Sequence, residues 1–496
     1  MGKKPTILTI DIGLTNCKTS LFNLQGDLIQ QEARRYKTTT MRPDWSEQDP
    51  QDWWKALKDG VRALTTAEDF VQEVIAISVT AHMHGLIAID RDGHAITNCW
   101  TLFDRRSGAE AKYIAQVLGE GTAFKITGAR LEAYTPAAKI LWLKRHRQGD
   151  FDKTALFISP KDLVRIQLGS ERVTDPVDAA GTLLFDLSTG AWSKDILSAV
   201  GLPIEKLPEI VESTTQVGTL SDEAAEQLEL PAGIPLVTGA GDDVEALGAG
   251  VVSQGQTLEH IGTTGTMITC LESPIFDDAG LVELYPHTIP GLYLLGGATN
   301  AAGRSLDWAL KVLSSNDKGA NELPLSHPED RKNTPPPIYL PFISGERGLL
   351  WEAYATGAFF GLREVHTALD LALSVYHGVA FSMKEFLEAA KKLGAEPTDM
   401  ISGTPPTQWE WAQLRADIYG FPISFPKTPY PTGLGAAMLA MVNQNIFPSL
   451  NDAVKACCRM SQRVDPDLSL KAYYQERYDV YQAAVQACRP LFSRLN

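Results

Sequence analysis

A strand that turns back on itself through a glycine occurs near the head of each half of this 496-residue chain, and it constrains the fold more than any other feature. In the first half Thr6-Ile7-Leu8-Thr9-Ile10 reads as a buried strand running into Asp11-Ile12-Gly13-Leu14-Thr15-Asn16-Cys17-Lys18. Thr19-Ser20-Leu21-Phe22 reads as its return, and Gln25-Gly26-Asp27 turns the chain again into Leu28-Ile29. In the second half Leu258-Glu259-His260-Ile261-Gly262-Thr263-Thr264-Gly265-Thr266-Met267-Ile268 carries the strand, the glycine and the following Thr in the same step. A dinucleotide-binding fold needs Gly-x-Gly-x-x-Gly between its first strand and a helix, and that fingerprint is absent. The repeat predicts an α/β chain of two related domains, placed at residues 1–246 and 247–496, each offering a hairpin to phosphate across a cleft.

Chemistry concentrates where the first domain ends. Leu236-Val237-Thr238-Gly239-Ala240-Gly241 is an apolar strand entering glycine, and Asp242-Asp243 follows at once. Glycine accepts positive φ and carries no Cβ, so this turn is expected to bring backbone close to a ligand. The plain reading of the two acids is helix capping. One Asp suffices for a cap, however, and the small residues before it are then left without a reason. The Gly262–Thr266 turn sets hydroxyls and glycine amides between apolar runs, which suits phosphate oxygens, with an ordinary tight hairpin as the alternative. Asp11, beside Gly13 and Thr15, is a candidate magnesium position, directly or through water.

Other segments read as scaffold with functional options. Asp49 and Pro50 open a helix whose Trp53, Leu57, Val61 and Leu64 form a buried stripe. Val74–Val79 is a strand ending at His82-Met83-His84-Gly85, where the histidines read equally well as polar fillers or as ligands. Asp104-Arg105-Arg106 is either an ion-paired helix start or a grip for vicinal hydroxyls. Tyr293 to Gly303 is a strand followed by a small-residue helix start, and Gly297 and Asn300 in it are expected as candidate nucleotide contacts. Ser314 to Pro337 reads as a surface excursion, Leu369 to Leu393 as a core helix, and the helix from Tyr473 is expected to end or kink at Pro490.

A net charge of −15 with no Lys/Arg cluster to offset it argues against nucleic acid or an anionic membrane as partner. The six cysteines show no zinc-type spacing and no disulfide framework, no run approaches a membrane span, and the expected compartment is the cytoplasm.

Taken in order, these motifs resemble the FGGY carbohydrate kinases, and within them the xylulose kinases, from Thr6 to about Val442. The resemblance is carried by Asp11-Ile12-Gly13 with Lys18, Trp45-Ser46-Glu47-Gln48-Asp49-Pro50, His82-Met83-His84-Gly85, Asp175 to Asp186, Gly239 to Asp242, Gly262 to Thr266 and Pro341-Phe342-Ile343-Ser344-Gly345-Glu346-Arg347. It implies an ATP-dependent, magnesium-using enzyme with two actin-like, ribonuclease-H-like domains around a deep cleft. It implies Asp242 as general base, Asp11 and Asp242 at magnesium, and Met83, His84, Asp104 and Asp243 in the sugar pocket. Gly13, Thr15, Lys18, Gly262, Thr263 and Thr264 would lie near the phosphates, and Gly403 and Thr404 near the adenosine. Three departures bear on the substrate more than on the reaction. Leu14 replaces a Thr in the first hairpin, Asp243 stands where Asn is common, and Leu102-Phe103-Asp104 replaces Trp-Asn-Asp.

The expected reaction is transfer of the γ-phosphoryl of ATP to a hydroxyl of a ketopentose such as D-xylulose. Another ketose, gluconate or a polyol is the alternative acceptor, and a non-catalytic actin-like nucleotide sensor is the alternative of another class. Asp242 is expected to be ionised at neutral pH with an ordinary pKa near ~3.9. A homodimer is left open.

Overall fold

In the computed structural model, described for residues 4–65, 72–119, 121–313, 334–403 and 408–495, the chain forms two compact units. The first comprises Met1–Val252, Leu284–Tyr293 and Thr428–Arg459, and the second Ser253–Glu283, Leu294–Lys427 and Met460–Asn496. The division placed at residue 246 therefore falls after Val252, and two later segments return to the first unit.

Six strands build the first unit's sheet: β1 (Lys4–Ile12), β2 (Asn16–Asn23), β3 (Leu28–Arg35), β4 (Gln72–Ala81), β5 (Gln216–Thr219) and β6 (Pro235–Gly241), in the order β5-β6-β4-β1-β2-β3. β1 and β2 are antiparallel, whereas β1, β4 and β6 run parallel. From Thr6 onward β1 is buried throughout, because both faces of the sheet are covered. On one face Leu8, Ile10 and Ile12 share a core with Trp53, Leu57, Val61 and Leu64 of the helix Pro50–Thr65, whose start is held by the Asp49 carboxylate accepting the Gln51 amide at 2.9 Å. On the other, Ile7 and Phe22 share a core with Leu434, Ala437, Met438 and Met441 of the helix Pro431–Asn443. That helix comes so near the backbone that a Cβ on Gly435 would lie 2.2 Å from the Val244 carbonyl. Its apolar face explains why the return segment belongs with the first unit.

The second unit repeats the pattern with β7 (Gln256–Ile261), β8 (Gly265–Leu271), β9 (Tyr293–Thr299), β10 (Asp399–Ser402), β11 (Ile423–Pro426) and β12 (Met460–Val464), in the order β9-β8-β7-β10-β11-β12. β7 is antiparallel to β8 and parallel to β10, and β10 is parallel to β11. Three meandering strands followed by two parallel to the first is the same order as β3-β2-β1-β4-β6. Each unit is therefore a ribonuclease-H-like α/β sheet, and the chain has the two-domain actin-like fold. The core helix runs Ala368–Lys392 and is closed at its head by a capping box between Thr367 and Asp370. The excursion placed at Ser314–Pro337 lies outside the described residues up to 333. The helix Lys471–Phe492 passes through Pro490 instead of stopping there, since a proline in the last turn removes little of the ladder. Among the described residues no helix is long and apolar enough to cross a membrane.

Candidate active site

The carboxyl ends of the parallel strands β1, β4 and β6 meet. Asp11 pairs with Thr80, Gly241 pairs with Ala81, and the His82 amide donates to the Ile12 carbonyl at 2.9 Å. The edge beyond such strand ends is where open α/β sheets bind ligands.

The glycines of β6 serve the protein itself. The register with β4 slips between Val237 and Ala240, and Gly239 takes up the bulge at φ +72°, where a Cβ would lie 1.9 Å from the Val79 carbonyl. A Cβ on Gly241 would lie 2.6 Å from Met83 Cγ. The close approach expected for a ligand is thus made to β4 and to Met83. Capping is not the role of Asp242 either: residues Asp242–Val244 form a 3₁₀ turn whose N-cap, Gly241, makes no side-chain capping bond. Instead Asp242 Oδ1 accepts the Met83 amide at 3.2 Å.

Asp242 is exposed to solvent yet densely surrounded by protein. That surrounding, with the carboxylates of Asp243, Asp11 and Asp178, holds its pKa well above the usual range against the Met83 amide. The ordinary pKa expected for Asp242 is corrected accordingly: charge crowding at one sheet edge was not visible in the sequence. Burial, with Glu245 nearby, pushes the half-buried Asp243 up to about 6.

Met83 and His84 occupy the turn after β4 with different parts exposed. The Met83 side chain is 6% exposed and packs on Gly181 and Gly241, so its amide is what faces Asp242. His84 adopts φ +61°, a left-handed conformation uncommon for a non-glycine residue. Its Nδ1 lies 2.8 Å from the Gly181 carbonyl, and its ring meets Tyr134 and Tyr285 edge-on at 5.2 and 6.2 Å. Beneath this turn Lys139, wholly buried, donates to the carbonyls of His84, Trp100 and Thr101 at 2.8, 3.0 and 2.8 Å. Burial pulls its ammonium down to about 7, against the pull of Asp104. Behind it Asp178, packed with Lys161, Asp162 and Asp175, is pushed by burial up to about 7 and accepts the Ser159 hydroxyl at 2.8 Å. Lys139 and Asp178 were not singled out from sequence, although a lysine interrupting the apolar run Ala137–Leu143 was an available signal.

Asp11, also buried, accepts the Tyr430 hydroxyl and lies 4.0 Å from Lys18, whose ammonium stands 4.5 Å above the Tyr430 ring. Desolvation raises its pKa against both partners. In the following turn the Gly13 amide donates to Asn16 at 3.0 Å, the Tyr36 hydroxyl donates to the Gly13 carbonyl, and Thr15 is exposed. Tyr430 had no sequence signal, because it arrives from the far end of the chain.

Asp104 departs from expectation. It is 0% exposed, and both oxygens are taken: Arg106 donates to them at 2.8 and 2.6 Å and the Ser46 amide at 2.8 Å. Arg106 is in turn stacked over Trp45 and Trp100 at 3.6 and 4.2 Å. This is an internal ion pair, and no oxygen of it is spare for a sugar hydroxyl.

In the second unit the β7–β8 hairpin tip is closed by Gly262 N to Thr264 O at 2.9 Å. It is locked to the next helix by Gly303 N to Gly262 O at 2.9 Å and Arg304 N to Thr263 O at 3.2 Å. Gly297 is required by Phe386, which a Cβ would approach to 2.7 Å, and Asn300 Nδ2 donates to Ser344 O at 3.4 Å. The Gly403 amide donates to the Glu259 carbonyl at 2.8 Å, and the Glu259 carboxylate is clamped between Arg415 and the Tyr419 hydroxyl. Thr404 lies outside the described residues.

A divalent cation fits the donor set of the first unit. Asp11 adds to the cost of ionising Asp242, which a cation would relieve. Among the described residues they are not part of a three-ligand cluster, and magnesium, which keeps water and binds through one or two carboxylates plus phosphate oxygens, does not ask for one. Among the described residues, the group that could ligate a metal with three side chains, Asp90, Asp92 and His94, is half-buried to exposed and lies outside this set.

Comparison with known proteins bears on the family of the chain. Residues 6–248 match the N-terminal domain of the FGGY family of carbohydrate kinases, and residues 260–444 its C-terminal domain. The xylulose kinase of Staphylococcus xylosus is 28% identical over 478 residues, covering 96% of this chain and 98% of that protein. The gluconokinase of Bacillus subtilis (strain 168) is 28% identical over 448 residues, 88% of this chain and 87% of that one. The gluconate kinase of Lactobacillus acidophilus superimposes with a TM-score of 0.90 at 25% identity, covering 99% of this chain and 100% of that one. The chain belongs to the FGGY family of carbohydrate kinases, phosphotransferases whose acceptor is an alcohol group.

Proposed function

We propose that this kinase phosphorylates a ketopentose, with D-xylulose the first candidate, using ATP and Mg²⁺ in the cytoplasm, and that Asp242 is its general base. The observation that carries the assignment of the base is an exposed carboxylate with one oxygen held by the Met83 amide at 3.2 Å and a raised pKa. Fixing Oδ1 leaves the other oxygen for the acceptor hydroxyl, within reach of the proton it must take. Support for xylulose comes from the Staphylococcus xylosus relative and from the Met83-His84 pair. Gluconate is the second reading, supported by the two gluconate-phosphorylating relatives.

In the reaction the acceptor oxygen bonds to the γ-phosphorus as the bond to the β–γ bridging oxygen breaks. ADP departs, and the hydroxyl proton passes late to Asp242, since a loose transition state needs little early deprotonation. Bound at Asp11 and Asp242, Mg²⁺ would neutralise charge on the phosphates. Lys18 would supply its ammonium, and Thr15 beside Gly13 its hydroxyl, to phosphate oxygens, and in the second unit Thr263 and Thr264 beside Gly262 would supply theirs. Gly297, Asn300 and Gly403 would line the rest of the nucleotide, and Asp243 the acceptor. The nucleotide-sensor alternative is set aside by membership of a family of kinases.

The test is ADP release with Mg-ATP across D-xylulose, L-xylulose, D-ribulose, gluconate, erythritol and glycerol, with Asp242→Asn alongside. The expected result is one strongly preferred acceptor, and a turnover lower by ~10² to 10⁴ in a variant that still folds and binds ATP. Wild-type-like turnover in Asp242→Asn would remove Asp242 from the role.

A further inference from the structure

Lys139 is a charged group in a place built for apolar ones. It sits on the helix Pro136–His146 between Ala137, Ala138, Ile140 and Leu141, all buried, and its own exposure is 0%. An aliphatic residue would fill that position without the cost of stripping water from an ammonium. What the ammonium adds is three hydrogen bonds to backbone carbonyls, and they belong to two separate segments. His84 is on the turn after β4, and Trp100 and Thr101 precede the Asp104–Arg106 pair. Three donors meet three acceptors at 2.8 to 3.0 Å, so the ammonium is fully used.

One of those acceptors is unusual. The His84 backbone is left-handed at φ +61°, a conformation that a non-glycine residue keeps only when its surroundings hold it. The preceding residue supplies the amide that holds Asp242 Oδ1. The His84 ring is set on the other side by its contact with the Gly181 carbonyl.

We propose that Lys139 is the positioning residue of the acceptor site, fixing the left-handed His84 turn, and through it the Met83 amide and the His84 ring, by tying the His84 carbonyl to those of Trp100 and Thr101. The proposal rests on the reading of Asp242 and His84 as the acceptor site. Lys139 touches no reacting atom in this role. It sets where the groups that meet the acceptor stand.

The test is the steady-state kinetics of Lys139→Met, with D-xylulose and gluconate as acceptors and Asp242→Asn as reference. Methionine fills the volume and donates nothing. The acceptor KM is expected to rise about tenfold or more while the KM for ATP stays within about twofold, a split that a mere loss of folded protein does not produce. In a His84→Gly background, where the turn needs no support, the further rise caused by Lys139→Met is expected to shrink to about threefold or less. Lys139→Gln keeps two donors and is expected to fall between wild type and Met, and it carries the test if the Met variant does not fold. An unchanged acceptor KM in a folded variant, or an undiminished effect in the His84→Gly background, overturns the proposal. A wild type with no acceptor-dependent turnover, or an undiminished rate in Asp242→Asn, overturns the site reading and the proposal with it.

Discussion

Asp243 carries a pH dependence that can be measured without any turnover. Its pKa in the folded chain is raised from 3.8 to about 6 by burial and by Glu245. A carboxyl raised on folding favours the native state at low pH, and that contribution is lost as pH rises from the unfolded pKa through about 6. Asp243→Asn removes the ionisation, so its thermal midpoint relative to wild type is expected to climb between pH 4 and pH 7. Half-burial leaves solvent screening, and the change is expected to be on the order of 2 °C. Scanning fluorimetry without metal or nucleotide reads it, and a pH-independent difference would show that Asp243 titrates normally. The types of residue at this site were legible in the sequence: Asp11, Asp242 and the Met83-His84 pair all come to the ends of β1, β4 and β6. Their states were not. The raised pKa of Asp242 comes first from burial and next from Asp243, with further additions from Asp11 and Asp178, far from it in sequence. Asp104 could be assigned to an ion pair or to a ligand until its partners Arg106 and Ser46 were placed around it.

At the scale of elements, local signals served well where they were sufficient. The meander β1-β2-β3, the Asp49-Pro50 helix start and the long Thr367-capped helix needed only alternation, turn chemistry and caps. The helix Pro431–Asn443 is the opposite case. Its small residues announced tight packing, but its partner, the β1-β4-β6 face, lies more than a hundred residues away in sequence. Leu434, 0% exposed in that core, is the element's test. Leu434→Ala is expected to cost ~2 to 5 kcal/mol in unfolding free energy, by urea titration, because a buried leucine leaves both lost transfer energy and a cavity. A loss below about 1 kcal/mol would mean that the helix packs loosely.

For the molecule as a whole, the chain order and the spatial order differ, and this has a consequence for any attempt to cut it. A fragment of residues 1–252 lacks Thr428–Arg459 and would expose Ile7, Phe22, Val237 and Leu247 on an uncovered sheet face. That fragment is expected to bind a hydrophobic dye and to melt without cooperativity, whereas joining residues 428–459 to it through a flexible linker restores a sharp transition. A cooperative melt of 1–252 alone would show that the return helix is dispensable. The sequence by itself determined the two related sheets, the family and the carboxylate-bearing strand ends, because alternation, glycine turns and motif order are local and survive reading one residue at a time. Only the tertiary structure decided that Gly239 and Gly241 make room for Val79 and Met83, that Tyr430 reaches Asp11, that Asp104 is spent internally, and that Lys139 holds the His84 turn. Each of these is a meeting of side chains with backbone from distant segments, and its energy depends on distance and burial that no local pattern encodes.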